Sequence, residues 1–171
     1  MADVPSIRQI LIDEILAEEG ATRRTLERIP QDRWGWAPHD KSMTMGRLAG
    51  WVARALAGIG PVLAHDTWDM AADDGGFPAA PAAAAELVPT FEASVRAARE
   101  ALAAAPDSIM GEAWTMRQGD QVLWGPVPKY VVVRGFFLAD LIHHRAQLGV
   151  YLRLCGLPVP AVYGPSADEM A

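Results

Sequence analysis

The chain has 171 residues, and 51% of them are hydrophobic and 21% charged, which suits one domain with a packed core and excludes a wholly disordered protein. Lys and Arg number 15 against 21 Asp and Glu, so the net charge is −6, which disfavours binding to nucleic acid phosphates. The lone Cys155 excludes an internal disulfide framework and a cysteine-based zinc cluster. We expect a single domain over residues 1–171.

The sequence contains no recognisable export signal or membrane segment. Acids interrupt the apolar N-terminal run MADVPSIRQILIDEILAEE, and no stretch approaches the roughly 20 apolar residues of a membrane helix. We therefore expect a cytoplasmic protein that engages neither membranes nor nucleic acid.

The first half of the chain predicts two helices and two loops. Apolar residues at helical spacing predict a helix over 6–29, with Ser6 as its N-cap and Pro30 after its end. A second helix is expected to begin after Ser42 and to reach about residue 59, where glycines and a proline weaken it. Between these helices lies a loop over 30–41, and DDGGFPAAP predicts another over 73–81.

The second half predicts two further helices and a hairpin. An alanine-rich helix is expected over 83–105, and alternating apolar and polar residues over 112–124 predict a short β-hairpin. The last helix is expected over 128–154, with Gly156 as its stop, and the proline-rich tail over 157–171 is expected to be extended. Together these elements predict an all-α four-helix bundle with a long crossover connection and a short hairpin before the last helix.

The last helix carries the most informative polar residues. Asp140 and His144 are four residues apart and so lie on one helical face, which Gln147 and Tyr151 continue. His143 lies about 100° around the helix from His144. An acid and an imidazole one turn apart can share a metal ion, form an orienting hydrogen bond, or be a plain surface pair. The spacing leaves all three readings open.

Three segments resemble a known family: LERIPQDRWGWAPHDKSM, KSMTMGRLAGWVA and LADLIHHRAQLGVYLRLCGLPVPAVYGPSADE. They are similar to the entry segment, the second helix and the C-terminal signature of the DinB-like family, with the alanine-rich middle of the chain matching least. The resemblance implies a four-helix bundle, often dimeric, that holds a divalent metal through three histidines. One histidine comes from the second helix and two from the last helix at H-x-x-x-H spacing. Some relatives are thiol-dependent transferases or isomerases, and many have no assigned reaction.

This chain departs from the family pattern at two of the three positions. The resemblance places the histidines at Trp51, Asp140 and His144, so one imidazole remains. An indole has no lone pair free for ligation, and two protein ligands rarely make a tight site. The resemblance therefore implies either no cofactor or a weakly bound divalent metal of the Zn, Ni or Fe type at Asp140 and His144.

Acids and histidines elsewhere offer further candidate ligands. Glu18 lies on the buried stripe of the first helix, with Glu14 one turn before it, and a carboxylate there could face His144. The alternative is that both acids are solvated at the edge of the stripe. His39 and His65 lie near loops and are expected to be exposed.

Three functions remain open. The one we favour is a metal-free member of the fold that binds a small molecule or a partner in the bundle pocket, whose expected residues are Trp51, Asp140, His144, Gln147 and Glu18. The second is a metal-dependent hydrolase or thiol-transferase-like enzyme that uses Asp140 and His144 around a weakly bound divalent ion. The third is a structural, dimer-forming protein, which predicts no pocket beside His144. The resemblance implies a homodimer.

Overall fold

The structure, a computed structural model, describes residues 4–72 and 78–170. These residues are mostly helical, with one small three-stranded sheet. Residues 73–77 of the predicted loop lie outside the described residues, and residues 78–83 form neither helix nor strand. Across the described ranges, none of the helices combines the length and the apolar character that crossing a membrane requires.

Among the helices of the described residues, the first, second, fourth and sixth are long, and these four enclose one apolar core. The helices are, in chain order, α1 (Ile7–Glu27), α2 (Met45–Arg54), α3 (Ile59–Ala64), α4 (Leu87–Ala104), α5 (Lys129–Val131) and α6 (Ala139–Leu154). Helix α1 packs against α4 and α6, and α2 packs against the same two helices. Ile15, Leu48, Phe91 and Leu148, one from each long helix, are at most 1% exposed. Burial of such side chains is the main driving force for this packing.

The observed helix ends can be compared with the ends and caps that the sequence predicts. The Ser6 hydroxyl accepts a hydrogen bond from the Gln9 backbone N–H at 3.3 Å, so Ser6 is the N-cap of α1, as predicted. The second helix was expected to begin after Ser42; it begins at Met45, and Thr44 is its N-cap. The predicted second helix is divided, because a 3-10 turn over Ala55–Gly58 separates α2 from α3.

The loop before α2 folds back over the first turn of that helix. The Gly46 N–H donates to the Trp34 carbonyl at 2.9 Å, and the Met45 N–H donates to the Trp36 carbonyl at 2.7 Å. A Cβ on Gly46 would lie 2.3 Å from the Trp34 ring, so only glycine permits this approach without a shift. The Trp36 ring packs edge-on against Tyr151 with centroids 5.5 Å apart. The loop thus ties the start of α2 to α6.

The sheet contains one more strand than the sequence predicts. Its order is β1 (Thr67–Asp69), β2 (Ala113–Gln118) and β3 (Gln121–Pro128), with β1 parallel and β3 antiparallel to β2. Strands β2 and β3 occupy the segment predicted as a hairpin and extend it to residue 128. The three residues of β1 are too few for an alternating pattern to reveal them, so the expectation of an all-α protein with only a hairpin missed this strand.

The last helical region contains an irregularity that the sequence does not reveal. Helix α5 continues through a π-helical segment, Val132–Leu138, into α6. A π-helical turn contains more residues than an α-helical turn, so the side chains that follow it are rotated about the helix axis. Helix α6 ends at Leu154, and Gly156 follows with a φ of +70°, as expected for a glycine stop.

The C-terminal tail is fastened to the helices. Residues 157–170 form neither helix nor strand. Asp168 forms a 2.6 Å ion pair with Arg153 of α6, and Glu169 forms a 3.0 Å ion pair with Arg28, which follows α1. The tail therefore bridges the end of the first helix and the end of the last.

Candidate functional site

Trp51 of α2 and three residues of α6 form a chain of polar contacts. The Trp51 indole Nε1–H donates to Asp140 Oδ2. The other carboxylate oxygen of Asp140, Oδ1, lies 3.2 Å from His144 Nε2. His144 Nδ1 in turn lies 2.8 Å from the Gln147 side-chain amide. The structure thus brings together four of the five residues that the sequence proposes for the pocket.

The hydrogen positions in this chain follow from what each partner can donate. An ionised carboxylate only accepts hydrogen bonds, so Asp140 accepts from the Trp51 indole, while its contact with His144 Nε2 is an ion pair when the imidazole is protonated. The Gln147 amide either accepts from a protonated Nδ1 or, turned over, donates to an unprotonated one. One carboxylate oxygen of Asp140 therefore accepts the indole hydrogen bond, and the other contacts the imidazole.

The metal ion that the family resemblance implies does not fit these residues. Trp51 presents an N–H rather than a lone pair, and this N–H donates to the Asp140 carboxylate, so an ion there would have to displace it. Within the described parts of the chain, no group of three or more His, Cys, Asp or Glu side chains is arranged to hold an ion. The donor set is one carboxylate and one imidazole, both already engaged with each other.

A cavity of about 240 Å³ lies beside this chain of polar contacts and is lined by Met43, Arg47, Trp51, Arg54 and His144. Residues 47, 51 and 54 share one face of α2, because they are spaced by four and three residues. The Arg54 guanidinium lies over the Trp51 ring, 5.6 Å from its centroid. A purely structural protein was expected to have no pocket beside His144, and this cavity contradicts that expectation.

The two arginines and Met43 were missed in the sequence analysis. A signal for the arginines was available, because any side chain of α2 that faces the pocket at position 51 brings positions 47 and 54 to the same face. Met43 precedes α2 in an irregular segment, where no periodicity indicates direction. Its carbonyl accepts a 3.2 Å hydrogen bond from the Tyr151 hydroxyl, which fixes this segment against α6.

Glu18 has partners other than His144. Its carboxylate forms a 2.6 Å ion pair with Arg145, which also donates to the Thr22 hydroxyl at 3.0 Å. The Arg145 side chain is 2% exposed, so the pair is buried between α1 and α6. Glu14, the other acid considered on α1, pairs with Arg134 at 2.7 Å. The structure thus pairs both acids with arginines and does not hydrogen-bond them to Asp140 or His144.

Tyr163 of the tail covers the Glu18–Arg145 pair. Its hydroxyl donates to the Glu18 carboxylate at 2.9 Å and accepts from Arg145 at 2.9 Å. Although most of the residue is exposed, the hydroxyl is enclosed by these two groups. Loss of solvent around the hydroxyl, and then its hydrogen bond to Glu18, raise the pKa of Tyr163 above its ordinary value. The phenol therefore stays protonated and keeps its donor role.

The remaining histidines lie outside the pocket. His39 and His65 are exposed, as predicted. His39 Nδ1 accepts a hydrogen bond from the Lys41 backbone N–H at 3.1 Å. His143 is also exposed, and its Nε2 lies 3.1 Å from the Gln147 amide nitrogen, so it ends the chain of polar contacts at the protein surface.

Comparisons with known proteins bear on the fold. The model of the DinB family matches residues 9–171. A solved DinB-like protein from Bacillus cereus ATCC 10987 is 20% identical with a TM-score of 0.69, covering 91% of this chain and 97% of that one. A DinB-like protein from Bacillus subtilis is 15% identical with a TM-score of 0.67, covering 91% and 98%. No curated protein matches the chain. At these identities the solved structures show a shared fold alone.

Proposed function

This chain belongs to the DinB family, and we propose that it binds a small molecule, without a metal ion, in the cavity beside Trp51. The proposal interprets the four long helices as a DinB-like four-helix bundle with the cavity between its second and last long members. The observation that carries it is that Trp51 directs an N–H, rather than a metal ligand, at the Asp140 carboxylate, which lies 3.2 Å from His144.

The size and lining of the cavity support a small molecule over a protein partner. Pockets for drug-sized ligands measure roughly 300–1,000 Å³, so a cavity of about 240 Å³ suits a smaller occupant. Its lining combines the apolar surfaces of Met43 and Trp51 with a few polar groups, which is typical of ligand pockets. A stable protein interface would instead bury about 800 Å² of accessible surface on each partner.

Binding is tested directly at the Trp51 indole. The ¹⁵N-labelled indole resonance of Trp51 is assigned by its loss in Trp51→Phe, and a library of small aromatic and aliphatic fragments is then screened. We expect some fragments to shift this resonance and to leave the indole resonance of Trp124, in the separate aromatic cluster of the sheet, unchanged. A library that shifts neither resonance would contradict the proposed function.

The alternative is a metal-dependent hydrolase or thiol-transferase-like enzyme with an ion at Asp140 and His144. An ion there would have to displace the Trp51 N–H from Asp140, and metal analysis decides between the two functions. Protein purified without chelators or a histidine tag is expected to carry less than about 0.1 equivalent of any transition metal, since weak sites empty on dilution. One equivalent that survives dialysis would support the alternative and refute the metal-free proposal.

A double substitution tests the equivalence of these positions to the family's three histidines. Trp51→His with Asp140→His gives three imidazoles and an open coordination position, and we expect the variant to bind about one equivalent of zinc where the parent binds none. Trp51→Phe with Asp140→Asn is the matched control, because it disrupts the same positions and adds no ligand. A folded double-histidine variant that binds no zinc would show that these three neighbouring positions do not reproduce the ligand geometry that the family resemblance implies.

A further inference from the structure

The cavity has a positively charged lining on a protein whose net charge is −6. The guanidinium groups of Arg47 and Arg54 and the imidazole of His144 contribute to its wall, and none of its described lining residues is an acid. Asp140 is not among the lining residues; one of its carboxylate oxygens accepts from the Trp51 indole and the other contacts His144 Nε2. The local charge therefore has the sign opposite to that of the whole protein, which favours an anionic ligand.

The two arginines differ in what already holds them. The Arg54 guanidinium lies over Trp51 and donates to the Pro78 carbonyl at 3.0 Å, so its position is set by the protein. Arg47 is exposed, and its side chain forms no ion pair with another described residue. A guanidinium presents a planar set of donors that matches a carboxylate through two parallel hydrogen bonds. Arg47 is therefore the cation with donors available to a ligand.

The remaining lining residues indicate what the uncharged part of the ligand is. The Trp51 indole and the Met43 thioether supply apolar surface within the same 240 Å³. An inorganic anion would leave these two side chains unused, whereas a carboxylate attached to a small apolar body would contact them and Arg47 together. Burying that body adds hydrophobic free energy to the ion pair.

We propose that the ligand of this cavity is a small organic carboxylate, whose carboxylate binds Arg47 and whose apolar body lies against Trp51 and Met43. This inference rests on the proposed function, because it names the ligand class of the same site.

Three molecules of nearly equal shape test the charge. Benzoate, neutral benzamide and cationic benzamidine are titrated separately at low salt while the Trp51 indole resonance is followed. We expect benzoate to bind about tenfold more tightly than benzamide, benzamidine to bind more weakly than either, and added salt to weaken benzoate alone. The Kd of each molecule is the measured quantity.

Variants then identify the cation. Arg47→Gln is expected to weaken benzoate about tenfold, to the level of benzamide, and to leave benzamide unchanged. Arg99→Gln on α4 is the matched control, because Arg99 is also exposed and forms no ion pair within the described residues. Circular dichroism confirms that both variants are folded, which is expected because both side chains lie at the surface.

The possible failures are distinguishable. Benzamide binding as tightly as benzoate, or Arg47→Gln without effect on benzoate, overturns the carboxylate inference and leaves small-molecule binding intact. The same holds if only neutral fragments from the earlier screen shift Trp51. If neither the three probes nor any fragment shifts that resonance, the proposed function itself fails.

Discussion

His144 and Arg145 are consecutive residues of α6, yet they belong to two regions with different physical characters. His144 faces α2, where it contacts Asp140 and lines the cavity. Arg145 faces α1, where it forms a buried ion pair with Glu18. Successive residues of a helix point about 100° apart, so one helix can serve both regions.

The difference lies in what each region leaves for a ligand. In the Arg145 region, the guanidinium is bound by Glu18, Thr22 and Tyr163, and the side chain is almost fully buried. In the His144 region, the polar groups satisfy one another along one side, and a cavity with two arginines lies on the other. The first region is built to hold the helices and tail together, and the second leaves room for binding. Substitutions should therefore affect stability most in the first region and binding most in the second.

The largest effect is expected from Arg145→Met. Removing one partner of a buried ion pair leaves a desolvated charge, and with Glu18 14% exposed we expect a loss of about 3 kcal/mol in the free energy of unfolding. Urea denaturation measures this loss. The control is Glu18→Gln combined with Arg145→Met, which should recover part of the stability because no unpaired charge remains. A single variant that loses less than about 1 kcal/mol would show that the pair is not a main support of the fold.

A smaller loss of stability is expected from Trp51→Phe. This change removes the N–H that donates to Asp140 and keeps an aromatic ring, so we expect a loss of about 2 kcal/mol, within the usual range of about 1.5–3 kcal/mol for a hydrogen bond to a charged group. Trp124→Phe is the matched control, since the Trp124 indole N–H donates to no described residue. Equal losses in the two variants would mean that ring packing, rather than the hydrogen bond, explains the effect.

The smallest effect is expected at the surface pair of the tail. Arg153, and then the Val159 backbone N–H, lower the pKa of Asp168 from 3.8 to about 2. Because the folded pKa lies below the ordinary value, the stabilisation is fully present above about pH 4 and is lost as the pH falls toward 2. The Val159 amide resonance should therefore titrate near pH 2, and Asp168→Asn should abolish that titration. A midpoint near 3.8 would mean that the tail is not held by this pair.

Part of the fold could be predicted because its signals are local. Ser6 caps the first helix and Gly156 follows the last one where the sequence indicates, since caps and stops depend on a few neighbouring residues. The π-helical segment before α6 and the short strand β1 were missed. Both depend on contacts with distant segments rather than on a pattern within their own residues.

Part of the candidate site could likewise be predicted from the sequence. The spacing of Asp140, His144 and Gln147 predicts one shared face of α6, and the family resemblance adds Trp51, 89 residues away from Asp140 in the sequence. Neither source predicts that the indole donates to the carboxylate. The spacing also could not predict that Glu18 would pair with Arg145 rather than contact His144, because these two α6 residues are adjacent in the sequence and the rotation of α6 against α1 determines which of them faces Glu18.

The sequence by itself determined which side chains share a face of each helix, where the first and last helices end, and that one acid–imidazole pair lies on α6. Only the tertiary structure decided which faces meet. The rotation of α2 against α6 depends on the packed loop in which Trp34 lies over Gly46 and on the whole apolar core. Helical periodicity is a property of neighbours along the chain, whereas the approach of two helices depends on every side chain packed between them.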